Sequence, residues 1–322
     1  MTRTNAPRQF DRQRQPHRGM TMIELLIVVA VMVILMGISL PMMKTGIEGR
    51  KLRETARQVN TTVELAKSLA AESGRYAGII LDTEELPEDT TKLFARRIFM
   101  AETPPPYAGD VVGALAKIIV DTSSGTDVLT ARFNLDGLSA NLSNIVRAGD
   151  LIRFDYRNPT YQVTNVTVNA TLFTLVLSGA PWPTDGASLP YQIIRHPEKS
   201  SVSPFELPNG AVIDFSSSGF GASDTRLATA SGPVTIVFGP SGRLVGVMGI
   251  NLSRSPTETL HLLIGNLENL GALNLADPST LWVSIGHHTG RVTTADSGVS
   301  ASAMTIEDAR EFAQSGQAMG GR

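Results

Sequence analysis

Arg18-Gly19-Met20-Thr21-Met22-Ile23-Glu24-Leu25-Leu26-Ile27-Val28-Val29 is the stretch that orders the rest of this chain. Arg3, Arg8, Arg12 and Arg14 precede it and, with Arg18, stand against Asp11 alone. After it, the apolar run continues to Met43, and Leu25 to Met43 holds 19 residues with no formal charge. A helix rises about 1.5 Å per residue, so that run is roughly 28 Å long, close to the hydrocarbon thickness of a bilayer. An arginine-rich flank stays in the cytoplasm, which predicts a single-pass, N-in chain exported beyond Lys44. A cleavable secretory signal has a shorter apolar region, about 7–15 residues, ending in a small-x-small site. Here the run ends in Ser39-Leu40-Pro41-Met42-Met43. A plain anchor gives no reason for Glu24, the one charge between Met20 and Met43. A carboxylate in a spanning segment costs a few kcal/mol and marks a functional residue by default.

A basic leader ending in Gly19, then an apolar residue, Thr21, two apolar residues, Glu24 and a long apolar helix resembles the class III signal of type IV pilins and pseudopilins. The resemblance implies that a membrane aspartyl prepilin peptidase cuts between Gly19 and Met20 and N-methylates the new amino terminus of Met20. It assigns Thr21, Glu24 and Pro41 to assembly, with Pro41 in the place of the proline that kinks or melts the helix near the membrane exit. The partners it implies are other pseudopilins or pilins, met through the N-terminal helix, and an inner-membrane assembly platform. Met20 departs from the Phe usual after the cut, and the leader is long, which suits pseudopilins and minor pilins. The physics agrees. After cleavage the Met20 ammonium lies one turn from Glu24, whose place in the first turn favours negative charge. In a filament, a neighbour's amino terminus neutralises Glu24 in a low dielectric, and removing one partner of such a pair costs about 3–5 kcal/mol.

Beyond Lys44 the pattern turns amphipathic. Leu52, Ala56, Val59, Val63, Ala66 and Ala70 fall on one helical face, and Ser73-Gly74 marks the end of that helix. Gly46, Gly49 and Pro41 lie at the junction, where the spine can bend.

Of the 322 residues, 42% are hydrophobic and 18% charged, which excludes wholesale disorder. Cys 0 excludes disulfide scaffolds, thiolate metal sites and thiol nucleophiles. From residue 74 on, 17 basic residues face 24 acidic ones, a net of −7. Frequent turn signals and short alternating runs predict mostly β structure there. Strands are expected at Tyr76–Leu81, Lys117–Asp121, Leu151–Tyr156, Tyr161–Val168, Leu172–Leu177 and Tyr191–Arg195. Further strands are expected at Ala211–Phe215, Val234–Phe238, Leu244–Met248, Leu260–Ile264 and Leu281–Ile285. Loops are expected at Asp82–Asp89 and Thr103–Tyr107. Phe238-Gly239-Pro240-Ser241-Gly242-Arg243 and Thr289-Gly290-Arg291-Val292 resemble the closing strands of H-type (FimT/FimU-like) minor pseudopilins and their pilus counterparts. Thr305-Ile306-Glu307-Asp308 is a capping-box variant opening a helix to about Gln314, with a frayed tail from Gly316.

The expected organisation is α+β and pilin-like. Residues 1–19 form a cleaved leader, 20–43 a transmembrane helix half and 44–74 an amphipathic half. Residues 75–107 with 197–304 form a mostly antiparallel β domain, 108–196 an inserted β module, and 305–322 a short helix and tail. No nucleophile with a base, phosphate loop or metal-ligand spacing is present, so no enzyme activity, cofactor, metal or catalytic residue is expected. His287-His288 reads as a solvated turn. Asp82, Glu84, Glu85, Glu88 and Asp89 read as a solvated acidic loop, since Ca²⁺ needs six or more converging oxygens. The net of −7 argues against a nucleic-acid partner, which needs a basic surface. A tethered enzyme or binder is the remaining alternative. A K-type pseudopilin shares the large insertion but usually lacks the glutamate. The expected role is a minor pseudopilin of type II secretion, with a minor type IV pilin in pilus priming or DNA uptake as the alternative. The expected location is the bacterial inner membrane, with the β domain in the periplasm.

Overall fold

The computed structural model describes residues 21–121, 128–134, 145–157, 159–168, 172–178, 185–221, 225–229, 232–249, 252–254, 256–297 and 305–319, with backbone alone over 37–47, 121, 128, 134, 168, 172–173, 177–178, 252–254 and 316–319. The chain is a long helix followed by a mostly β, antiparallel domain, and it divides into two compact units, Met1–Glu48 and Gly49–Arg322.

Helix α1 runs Met22–Ser73. Its backbone stays helical through Pro41, Gly46 and Gly49, so the proline gives up a hydrogen bond without ending the helix. In the second unit all six residues of the expected stripe, Leu52, Ala56, Val59, Val63, Ala66 and Ala70, are at most 2% exposed and join the main core. The helix stops where Gly74 takes a φ of 64°, the left-handed position that closes helices without a Cβ clash.

Two antiparallel assemblies follow. Strands β1 (Ala77–Leu86) and β2 (Asp89–Glu102) form a hairpin. Next come β3 (Leu115–Asp121), β4 (Val128–Asn134), β5 (Leu151–Phe154), β6 (Thr160–Val168), β7 (Leu172–Ser178) and β8 (Ser188–Ile194). The chain then makes β9 (Glu198–Lys199), β10 (Phe205–Glu206), β11 (Ala211–Phe220), β12 (Thr225–Arg226), β13 (Val234–Phe238), β14 (Leu244–Gly249) and β15 (Leu252–Arg254). It finishes with β16 (Leu260–Asn266), helix α2 (Ala272–Ala276), β17 (Leu281–Ile285), β18 (Val292–Asp296) and helix α3 (Ile306–Met319).

The large sheet has the order β15-β14-β13-β1-β2-β11-β16-β17-β18, with β9 and β10 on β2 and β12 on β11. Its inner face, including Ile79, Ile213, Ile236, Leu262 and Val283, packs with the α1 stripe. Alternation puts Leu263 and Trp282 on the opposite face, where Ala309 and Ala313 of α3 cover them.

Strands β3-β4-β7-β6-β5-β8 close into a separate six-stranded barrel filled by side chains such as Ile118, Phe133, Phe154, Tyr161 and Tyr191. Closure removes the exposed edges that an open sheet of this size would present. The barrel is tied back to the linker by paired backbone hydrogen bonds between Tyr107 and Ile193, at 2.8 and 2.7 Å.

Several local expectations are corrected. Asp82–Leu86 continues β1 instead of forming a loop, because its carboxylates find cross-strand cations: Asp82 pairs with Arg97 at 2.7 Å, and Glu84 with Arg96. Strand β2 went unanticipated because its apolar residues are interrupted by Arg96-Arg97. Strand β4 went unanticipated too, and it completes the barrel. Strand β5 stops at Phe154 because Asp155 and Tyr156 both take positive φ, 51° and 55°. Helix α3 reaches Met319, so residues 316–319 are helical and not frayed.

Candidate assembly site

The described chain begins at Thr21, and there the sequence motif becomes geometry. The Glu24 amide donates to Thr21 Oγ1 at 3.3 Å, while the Thr21 amide and hydroxyl each donate to Glu24 Oε2 at 3.3 Å. This is a reciprocal capping box, with Thr21 as N-cap and Glu24 as the third helical residue. It satisfies amides that the first helical turn leaves without partners. It also fixes the Glu24 carboxylate over the helix N-terminus, where the macrodipole favours negative charge. Both side chains are exposed.

The next turns are apolar on every face. From Met22 to Met36 each large apolar side chain is at least 44% exposed, with Met22 at 91%. A helix apolar all round belongs in lipid or against other helices. Among the described residues no helix is long and apolar enough to cross a membrane; the side chains of 37–47, which include Pro41, lie outside that description. Gly19 and Met20, the expected processing residues, also lie outside the described residues.

The other candidates resolve differently. The acidic cluster is split along a hairpin, and its carboxylates serve cations: Lys199 joins Asp82 at 3.3 Å, and Arg97 also reaches Glu84 at 3.7 Å. Among the described residues no group of three or more His, Asp or Glu is placed to hold a metal ion. His287 and His288 lie on a turn with ring centroids 3.8 Å apart, so they face each other and not opposite sheet faces.

Two buried polar clusters had no sequence signature. In the first, Asp214 Oδ2 accepts from Gly271 N at 2.7 Å and Asn274 Nδ2 at 2.9 Å, while Asn274 Oδ1 accepts from Asn266 N at 2.9 Å. Asp214 sits where β11 bulges against β16, so the network satisfies backbone that the ladder leaves unpaired. In the second, Arg310 of α3 is fully buried and donates to the carbonyls of Ser217, Phe220 and Thr225 at 2.7 to 3.4 Å. His261 lies beside it, its Nδ1 2.8 Å from Ser284 Oγ. Burial, and then the Arg310 charge, push the His261 imidazole down to about 4. These partners are far apart in the chain and show only in three dimensions. Both clusters are sealed from solvent, which suits framework roles.

Residues 14–40 match the family model described as the prokaryotic N-terminal methylation motif. No curated protein and no solved structure matches the chain. The matched stretch contains the capping box and its flanking arginines, and it supports a type IV pilin-like or pseudopilin subunit. Such a signal implies processing by a prepilin peptidase and assembly with other pilin-like subunits.

Proposed function

We propose that this chain is a minor pseudopilin of a type II secretion system. A prepilin peptidase cuts between Gly19 and Met20 and methylates the new terminus. The subunit waits in the inner membrane, N-terminus cytoplasmic and β domain periplasmic, until an assembly platform draws it into a short filament that drives protein export. No chemistry on a substrate is required of it. The observation that carries this reading is the Thr21–Glu24 capping box at the head of an apolar helix, within the matched methylation motif.

The geometry suggests how Glu24 works. Held by Thr21, the carboxylate is oriented before assembly and needs only a cation to become comfortable in lipid. The Met20 ammonium of a neighbouring subunit supplies that cation. Register follows, because a helix displaced by a turn leaves the acid unpaired in a low dielectric. Pro41 leaves one carbonyl of the spanning half without its helical partner, a point where α1 can yield during extraction.

Mass analysis of the amino terminus of the membrane-extracted chain tests the processing step, with a methylated Met20 start expected. Glu24→Ala and Gly19→Ala should leave the protein in the inner membrane and stop secretion. Normal assembly of both variants sinks the reading. Loss of surface pili with secretion intact assigns the chain to a minor type IV pilin instead.

A further inference from the structure

We propose that the groove between the large sheet and the barrel is a docking site for an extended segment of a partner protein that carries a carboxylate beside an apolar side chain. This inference stands apart from the assembly role of α1.

The groove opens where α1 ends. A pocket of about 230 Å³ is walled by Tyr76, Pro104, Pro106 and Pro240 from the sheet side and by Ile194 from β8 of the barrel. On the far side of Tyr76 and Pro240 a second depression of about 450 Å³ continues past Gly239 to Arg243 and Pro256. The floor is close-fitted: a Cβ on Gly239 would stand 3.7 Å from the Tyr76 ring and 3.0 Å from Val245. Proline and tyrosine walls with few amides of their own suit an extended chain, whose backbone lies flat while alternate side chains fill hollows. The first hollow is of the size of one large side chain.

The charge pattern names the chemistry. Arg75 and Arg153 line the first pocket, and Arg243 lines the second. Among the described residues none of the three joins an ion pair. The larger cleft beside Arg96 and Arg97 is different, since Asp82 and Glu84 already satisfy those arginines. Three guanidinium groups without an ion pair among the described residues thus lie along one apolar trough, in a domain whose net charge from residue 74 on is −7. Two polar atoms in the first pocket wall also lack a partner among the described residues: Arg153 Nε and Thr103 Oγ1 are both buried without a hydrogen bond. An arriving carboxylate pairs with the guanidinium of Arg153, a half-buried residue that lines the pocket. Arg153 in the wall and Arg75 at the rim would orient the acid while the neighbouring apolar side chain enters between the prolines.

The test uses the full chain in detergent micelles and a displayed random heptapeptide library as the probe. Selected peptides should share Glu or Asp next to an aromatic or aliphatic residue. Their affinity should fall at least about tenfold in Arg153→Ala and in Arg75→Ala, the scale of losing a charge-assisted contact. Arg153→Lys should retain part of it, and Arg132→Ala, on the outer face of the barrel, should retain all. Melting temperatures of the variants establish that they fold. Where one does not, benzoylphenylalanine at Tyr76 in the otherwise unchanged chain should cross-link to the selected peptide. An enriched set without acidic residues, equal binding by the arginine variants, or absence of the cross-link overturns the proposal. So does self-association of the chain that Arg153→Ala abolishes, which would make a second copy the occupant.

Discussion

Thr21 and Glu24 hold each other across the first turn of α1, hydroxyl to amide and carboxylate to amide, with 3.3 Å contacts. The acid expected to pair with a neighbouring subunit is thus already oriented by its own helix. Thr21→Ala should cost the helix start about 1 kcal/mol, the usual worth of an N-cap. A peptide spanning residues 20–36 in micelles should lose first-turn amide protection by NMR, while prepilin cleavage of the full chain proceeds. Unchanged protection would show that the capping box does not order this end.

Glu24→Gln separates cap from charge. The amide side chain still accepts from the Thr21 hydroxyl, so helix order should persist. Assembly should fail, because a neutral group gives a neighbour's amino terminus nothing to pair with. Filament or secretion assays beside NMR of the same variant make the comparison.

Gly265 is required by contact and not by backbone angle. A Cβ there would stand 2.4 Å from Asn274 Cγ. Gly265→Ala should expel Asn274 from the Asp214 network and destabilise the domain by about 2–4 kcal/mol, the cost of breaking a buried polar network. Asn274→Ala attacks the same network, so chemical denaturation of the double variant should show clearly less than the sum of the single losses.

Arg310 fastens α3 to the outer face of the sheet. Arg310→Met keeps the length of the side chain but leaves the Ser217, Phe220 and Thr225 carbonyls short of donors. Each buried group left unpaired costs about 1–3 kcal/mol. Limited proteolysis should release α3 from this variant at protease levels that leave the parent intact.

His261 makes stability depend on pH in a defined window. Its imidazole is lowered from 6.5 to about 4 by burial and by Arg310. Above about pH 6.5 the folded and unfolded chains both carry it neutral, and its contribution is complete. Between 6.5 and about 4 only the unfolded chain takes the proton, so stability falls as the pH falls, by roughly 3 kcal/mol in all. Below about 4 both states are protonated and this contribution is gone. Denaturant titrations across the window should show that slope, and His261→Leu should flatten it.

The strands that sequence reading anticipated most closely are those whose faces alternate or whose runs are apolar but for one hydroxyl residue. Val234–Phe238 and Leu281–Ile285 coincide with β13 and β17, since such runs need burial on both sides. Strand β2 escaped notice because its solvent face carries Arg96 and Arg97, whose partners lie twelve or more residues away on β1. Strand β4 had no anticipated counterpart, yet without it the barrel does not close.

The linear order of residues determined the head of α1, its buried stripe and its end at Gly74, because capping, helical periodicity and a left-handed glycine act within a few residues. It also determined where turns and apolar runs fall. Tertiary structure alone decided that six strands close into a barrel, that Arg310 seals the outer face and that Asp214 meets Asn274. It also gathered Arg75, Arg153 and Arg243 along one trough. Those relationships depend on strand pairing between distant segments, and pairing is set by which faces bury together, a property no local window contains.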